Sequence, residues 1–359
     1  MGGIPITGDM NSILVSSKAS ITIVTVLMIV VLTLGILFNR ISWVDITTSG
    51  IGVYTTLLIL FLFGQFILLG FIDKSSKEIR KVNSIIKSSR VAIWLCQILL
   101  SILSIILLVE IVTVSMYHTS LLIAINCISY GVSIVFTGFL TYKFLSWFSR
   151  QRNAVTVVYG IASCIILINL VITLLFSVTI LSSRPDEVRQ FLVSSGIFVR
   201  QDSFAAILDV TYQISSIAMF IAMWWATAIL LYYYSKRVGK IRFWILVAMP
   251  LVYFLSQFIS SIQDISMFLV ADPVLIGTML ASVFTMSLVV GGILFGIAFI
   301  KFSSKFSGSN IIRNYLIVAG YGFMFLLISN NGVLLATVPY PPYAVQSVAF
   351  IGVASYSIL

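Results

Sequence analysis

Apolar residues run along this chain in long uninterrupted stretches, separated by short clusters of basic and other polar residues. The stretches cover residues 19–38, 51–72, 91–116, 120–142, 154–180, 206–233, 243–262, 274–300 and 315–338, and a shorter tenth covers 347–359. At a rise of about 1.5 Å per residue, each of the first nine is long enough to cross a hydrocarbon layer ~30 Å thick as an α-helix. The tenth reaches only about 20 Å and is predicted as part of a helix. Barrel strands would alternate apolar and polar residues over about 10 positions, a pattern these stretches lack. The prediction is an all-α fold, a polytopic transmembrane helix bundle of nine full spans plus a partial tenth. It forms one domain, 1–359, with a longer outer loop at 181–205.

The polar breaks set the orientation. Of the 21 Lys and Arg residues, only Arg40, Arg184, Arg189 and Arg200 fall in the loops of one side. The rest sit on the opposite side, as Lys18 and as clusters at 74–90, 143–152, 236–242 and 301–313. By the positive-inside rule the basic side, and with it the N-terminus, is cytoplasmic. Asp45, Asp186, Glu187, Asp202, Asp209, Asp264 and Asp272 lean to the outer side. Trp94, Trp147, Trp244 and Tyr232-Tyr233-Tyr234 flank the basic clusters, at headgroup level. The stretch 73–90 is predicted as a short amphipathic helix with Ile79, Val82, Ile85 and Ile86 along one side. The first apolar run ends in Asn39-Arg40 rather than a small-residue cleavage site, so it reads as a retained span.

Composition agrees and narrows the partners. Hydrophobic residues make up 60% of the chain and charged residues 9%, against about 25% charged in a soluble domain. The net charge of +10 suggests nucleic acid at first sight, but the charges are split among short loops and form no single soluble face. The expected partners are membrane lipids, with anionic headgroups at the cytoplasmic loops, and no nucleic acid. The expected location is the cell membrane. Cys96, Cys127 and Cys164 all lie in apolar runs with no paired spacing, which suggests neither disulfide nor metal site.

Candidate chemistry is sparse. Glu110 is an acid inside an apolar run, and buried ionisable groups mark ion or proton pathways. It also lies 20 residues beyond Arg90, about 30 Å along a helix, which places it near the outer headgroups. His118 is the sole histidine, so sites needing several imidazoles are excluded. Gln65, Gln97, Asn126, Asn169, Gln257, Asn330 and Asn331 are amides within spans. They serve either as interhelical hydrogen-bonding groups or as the lining of a solute path. Asn330-Asn331-Gly332 suits an unwound stretch of the kind found at transporter binding sites. Pro250 suits a kink that frees a carbonyl. Gly292 and Gly296 form a GxxxG pair for close helix approach. No GxSxG, HExxH, Walker lysine loop or GxGxxG is present, so no enzyme is expected and no cofactor is implied.

The segment Val338-Pro339-Tyr340-Pro341-Pro342-Tyr343, with Tyr232-Tyr233-Tyr234-Ser235-Lys236 and Phe254-Leu255-Ser256-Gln257-Phe258, resembles uncharacterised multi-pass membrane proteins of ammonia-oxidising archaea. The resemblance covers spans six to ten. It implies lineage and topology only, with relatives continuing past residue 359 through a complete tenth helix and a cytoplasmic tail. Three function classes remain open: a small-solute transporter or channel, a membrane sensor acting through a partner, and an accessory subunit of a membrane complex. Scattered intramembrane amides favour the first.

Overall fold

Residues 48–75, 84–114, 118–151, 154–182, 204–232, 244, 247–248, 251, 289–301, 303, 310–330 and 345–359 are described by the structure, a computed structural model. Among them are eight α-helices and no strand. They are α1 Thr48–Ser75, α2 Ser84–Val114, α3 Thr119–Gln151, α4 Ala154–Ser182, α5 Phe204–Tyr232, α6 Val289–Lys301, α7 Asn310–Asn330 and α8 Val345–Ile358.

Four segments, Ile51–Lys74, Ser88–Thr113, Ser120–Arg150 and Thr156–Thr179, are long and apolar enough to cross a membrane. They lie in α1 to α4 and match the second to fifth runs of the sequence. Membrane integration of a helical bundle therefore stands on four crossings among the described residues, and the count of nine is not supported. The shorter apolar stretches are Ile214–Ile229 in α5, α6 itself and α8. The first and most of the seventh predicted spans lie outside the described residues.

The packing follows the same logic. On α2, Ile93, Gln97, Leu100, Ser104, Leu107 and Ile111 recur at steps of three or four and are buried. Leu95, Ile98, Ile102, Ile105, Val109 and Val112 on the opposite face are exposed. Phe63 of α1 is 70% exposed while Gln65, two residues on, is fully buried. A water-soluble helix has the reverse arrangement, and an apolar outer face of this extent suits lipid. Inward serines and threonines satisfy themselves locally by donating to the carbonyl four residues back. Examples are Ser101 to Gln97, Ser104 to Leu100, Ser133 to Ser129, Thr141 to Thr137 and Thr173 to Asn169, at 2.7–2.9 Å. Carboxamides have more donors and acceptors than one such bond can use, so they reach across helices.

Neighbours in sequence pack side by side: α1 on α2, α2 on α3, α3 on α4, and α4 on α5. α8 breaks that order. It packs on α7, α3, α1 and α2 together, and every residue from Val345 to Ile358 is buried. Small side chains make this enclosure possible. Gly322 of α7 meets α8 so closely that a Cβ there would lie 3.0 Å from the Ala354 carbonyl oxygen. Phe350 fills the space between Phe61 and Phe325, with ring centroids at 6.1 Å and 4.6 Å. The sequence predicted a partial membrane span here; the structure shows a 14-residue helix buried along its whole length.

Two further expectations meet the structure here. Within 73–90, Asp73 to Ser75 finish α1 and Ser84 begins α2, while 76–83, with Ile79 and Val82, lie outside the described residues. Arg90 donates to Asp73 at 2.6 Å and ties the two helix ends together. The GxxxG pair serves the fold of this chain: Gly292 and Gly296 pack on α7, where a Cβ at 296 would lie 2.6 Å from the Gly320 oxygen.

Candidate functional site

Polar side chains converge on α8 from the surrounding helices. From α2, Gln97 donates through Nε2 to the Ala349 carbonyl oxygen at 2.9 Å. Its neighbour Ser101 accepts from Gln65 Nε2 of α1 at 2.7 Å. From α3, the Ser129 hydroxyl donates to the Val348 carbonyl. At the start of α8, Ser347 donates to the Ser329 carbonyl oxygen near the end of α7 at 3.3 Å. Beside that contact, Asn330 Nδ2 donates to Asn169 Oδ1 of α4 at 2.8 Å. Asn169 Nδ2 in turn donates to Ser215 and Ser216 of α5 at 2.9 and 3.1 Å. One continuous set of interactions thus joins α4, α5, α7 and α8 in a region shielded from solvent.

The set is incomplete. Among the described residues, Gln346 has neither amide atom hydrogen-bonded, although it is 2% exposed. Asn330 Oδ1, Ser329 Oγ, Gln65 Oε1, Gln97 Oε1 and Ser355 Oγ also lack partners, and all are buried. An unpaired buried polar atom loses the full benefit of hydration, on the order of 1–3 kcal/mol. Atoms left so in a native interior ask for waters, a ligand or a second conformation. The cavity between Leu68, Phe71, Val318, Tyr321, Phe350 and Ser357 is about 10 Å³, room for a single water centre.

Gln97 and Asn330, both singled out from sequence, approach α8 from different helices and bond to different partners. Glu110 stands apart from both. It accepts from the His118 backbone N–H at 3.0 Å and lies 2.9 Å from His118 Nδ1, which fastens the turn between α2 and α3. Thirteen residues separate it from Gln97, about 20 Å along α2. Pro250, Gln257 and Asn331 lie outside the described residues.

Two residues escaped the sequence reading. Asp73, counted there among loop residues, is 6% exposed. Its Oδ2 accepts from Arg90 and from Trp94 Nε1 at 2.9 Å, and its Oδ1 from the Tyr356 hydroxyl of α8 at 3.4 Å. Gln346 precedes the tenth apolar run by one residue and so fell outside it. No group of three or more His, Cys, Asp or Glu assembles among the described residues. Comparison with protein families, with characterised proteins and with solved structures gave no match.

Proposed function

We propose that this chain is a multi-pass protein of the cell membrane that carries a small solute along the polar seam beside α8. The supporting observation is the row of buried, unpartnered amide and hydroxyl atoms, Gln346, Asn330, Ser329, Gln97 and Gln65, flanking a helix buried along its whole length. A purely structural interior would gain by replacing such groups with apolar ones of the same shape. A conduit needs them, because they replace the hydration of a passing solute. The seam is tightly packed, so passage requires α8 or its neighbours to shift. The nine-crossing topology, with basic loops and N-terminus cytoplasmic, belongs to this proposal and rests on the charge distribution.

Cysteine accessibility tests it. Cys96, Cys127 and Cys164 are replaced by Ala, and single cysteines are placed at Ser347, Gln65 and Ile102. A small hydrophilic thiol reagent is expected to modify the first two in membranes and to spare Ile102→Cys, which faces lipid. Equal inertness at all three would remove the conduit.

A further inference from the structure

Resting on that reading, we infer that the junction of α7 and α8 binds a small uncharged solute that both donates and accepts hydrogen bonds, of the carboxamide or urea class. The bond from Ser347 to the Ser329 carbonyl fixes the junction. The unpartnered atoms Gln346 Nε2, Gln346 Oε1, Asn330 Oδ1 and Ser329 Oγ all lie on these two residues or their immediate neighbours. The set offers both kinds of hydrogen-bonding capacity: Nε2 donates, the two amide oxygens accept, and the hydroxyl does either. Asn169 holds Asn330 by its Nδ2, so the orientation of the free Oδ1 is fixed.

Charge decides the class. From Asn314 to Leu359 the sequence contains no Asp, Glu, Lys, Arg or His, and α4 contains none either. An ion brought to this junction would lose its water and find no countercharge on α4, α8 or the 314–330 part of α7, whereas a neutral amide would exchange water for matched partners.

Full-length protein in liposomes is supplied with labelled acetamide or urea, or with their charged counterparts of like shape, acetate and guanidinium. Protein-dependent uptake of the neutral pair is expected to exceed that of the charged pair at least about tenfold, the cost of an unpaired charge being the larger. Gln346→Leu is expected to remove most of the neutral uptake while keeping helicity and melting temperature. Gln346→Glu is expected to shift preference from urea to guanidinium. Comparable uptake of charged and neutral probes would overturn the solute class and leave the conduit standing. So would facilitated passage of water alone, or no passage of either amide while Ser347→Cys remains accessible. Inaccessibility of Ser347→Cys would overturn the conduit and this site with it.

Discussion

The approach of α6 to α7 gives a quantitative test of the packing. A methyl group at 296 would lie 2.6 Å from the Gly320 carbonyl oxygen, and one at 320 would lie 3.0 Å from the Gly296 oxygen. Carbon–oxygen contacts settle near about 3.3 Å, so Gly296→Ala pushes the helices apart by roughly 0.7 Å. Overpacking of this kind costs about 1–3 kcal/mol. Gly52 and Gly70 of α1 are controls, since a Cβ at either meets nothing within 4 Å. Alanine raises helix propensity by about 1 kcal/mol at every position, so that gain cancels in the comparison. Gly296→Ala is therefore expected to be about 1–3 kcal/mol less stable than Gly70→Ala. Stability is read from denaturation of detergent-solubilised protein followed by circular dichroism. The double variant at 296 and 320 adds a second condition. Separation made for one methyl serves the other, so the pair should cost less than the sum by at least about 0.5 kcal/mol. Equal stability of Gly296→Ala and Gly70→Ala, or strict additivity of the pair, would refute the close approach.

The remaining expectations concern polar contacts and the lipid face. Asp73→Ala strips the partner from Trp94 and is expected to cost about 2–4 kcal/mol, whereas Arg90→Gln, at a half-exposed residue, should cost about 1 or less; the order is checked by the same denaturation curves. Asn169→Leu removes the hub between Asn330 and Ser215 and should destabilise by about 1–3 kcal/mol, with Ser215→Ala costing much less in the leucine background than alone. His118→Ala breaks an exposed pair with Glu110 and is expected to leave solute uptake unchanged and stability within about 1 kcal/mol. Ile102→Asp places a charge on the lipid face and should cost about 2.5–3.5 kcal/mol of insertion, read as the fraction of α2 integrated into membranes.

Much of the scaffold was legible because lipid imposes a simple rule. Continuous apolar length located α1, α4 and α5 within a few residues, whereas α2 begins seven residues before its apolar run and α3 ends nine after its own. The amides read as intramembrane groups, Gln65, Gln97, Asn126, Asn169 and Asn330, are all buried. Their connections were not legible, because partners such as Gln97 and Ala349 are 252 residues apart. Only three-dimensional packing brings them together. The burial of α8 was hidden for a related reason. Its apolar content looks the same whether protein or lipid surrounds it, and length alone suggested an unfinished crossing. Asp73 was read only as the first residue of the 73–90 stretch, without its partners. Arg90, Trp94 and Tyr356 turn a loop residue into a junction between three helices.

The enclosure of α8 also constrains how the protein is made. Gln97 must wait for Ala349 through 252 residues of further synthesis, about 13–50 s at ribosomal speeds of roughly 5–20 residues per second. During that interval the walls of α1, α2 and α3 lack the helix they will surround. Their inward amides and hydroxyls must be shielded by lipid, by one another or by an assembly factor. The bundle therefore closes only after α8 has been made, and its quality control hinges on whether that 14-residue helix reaches its place.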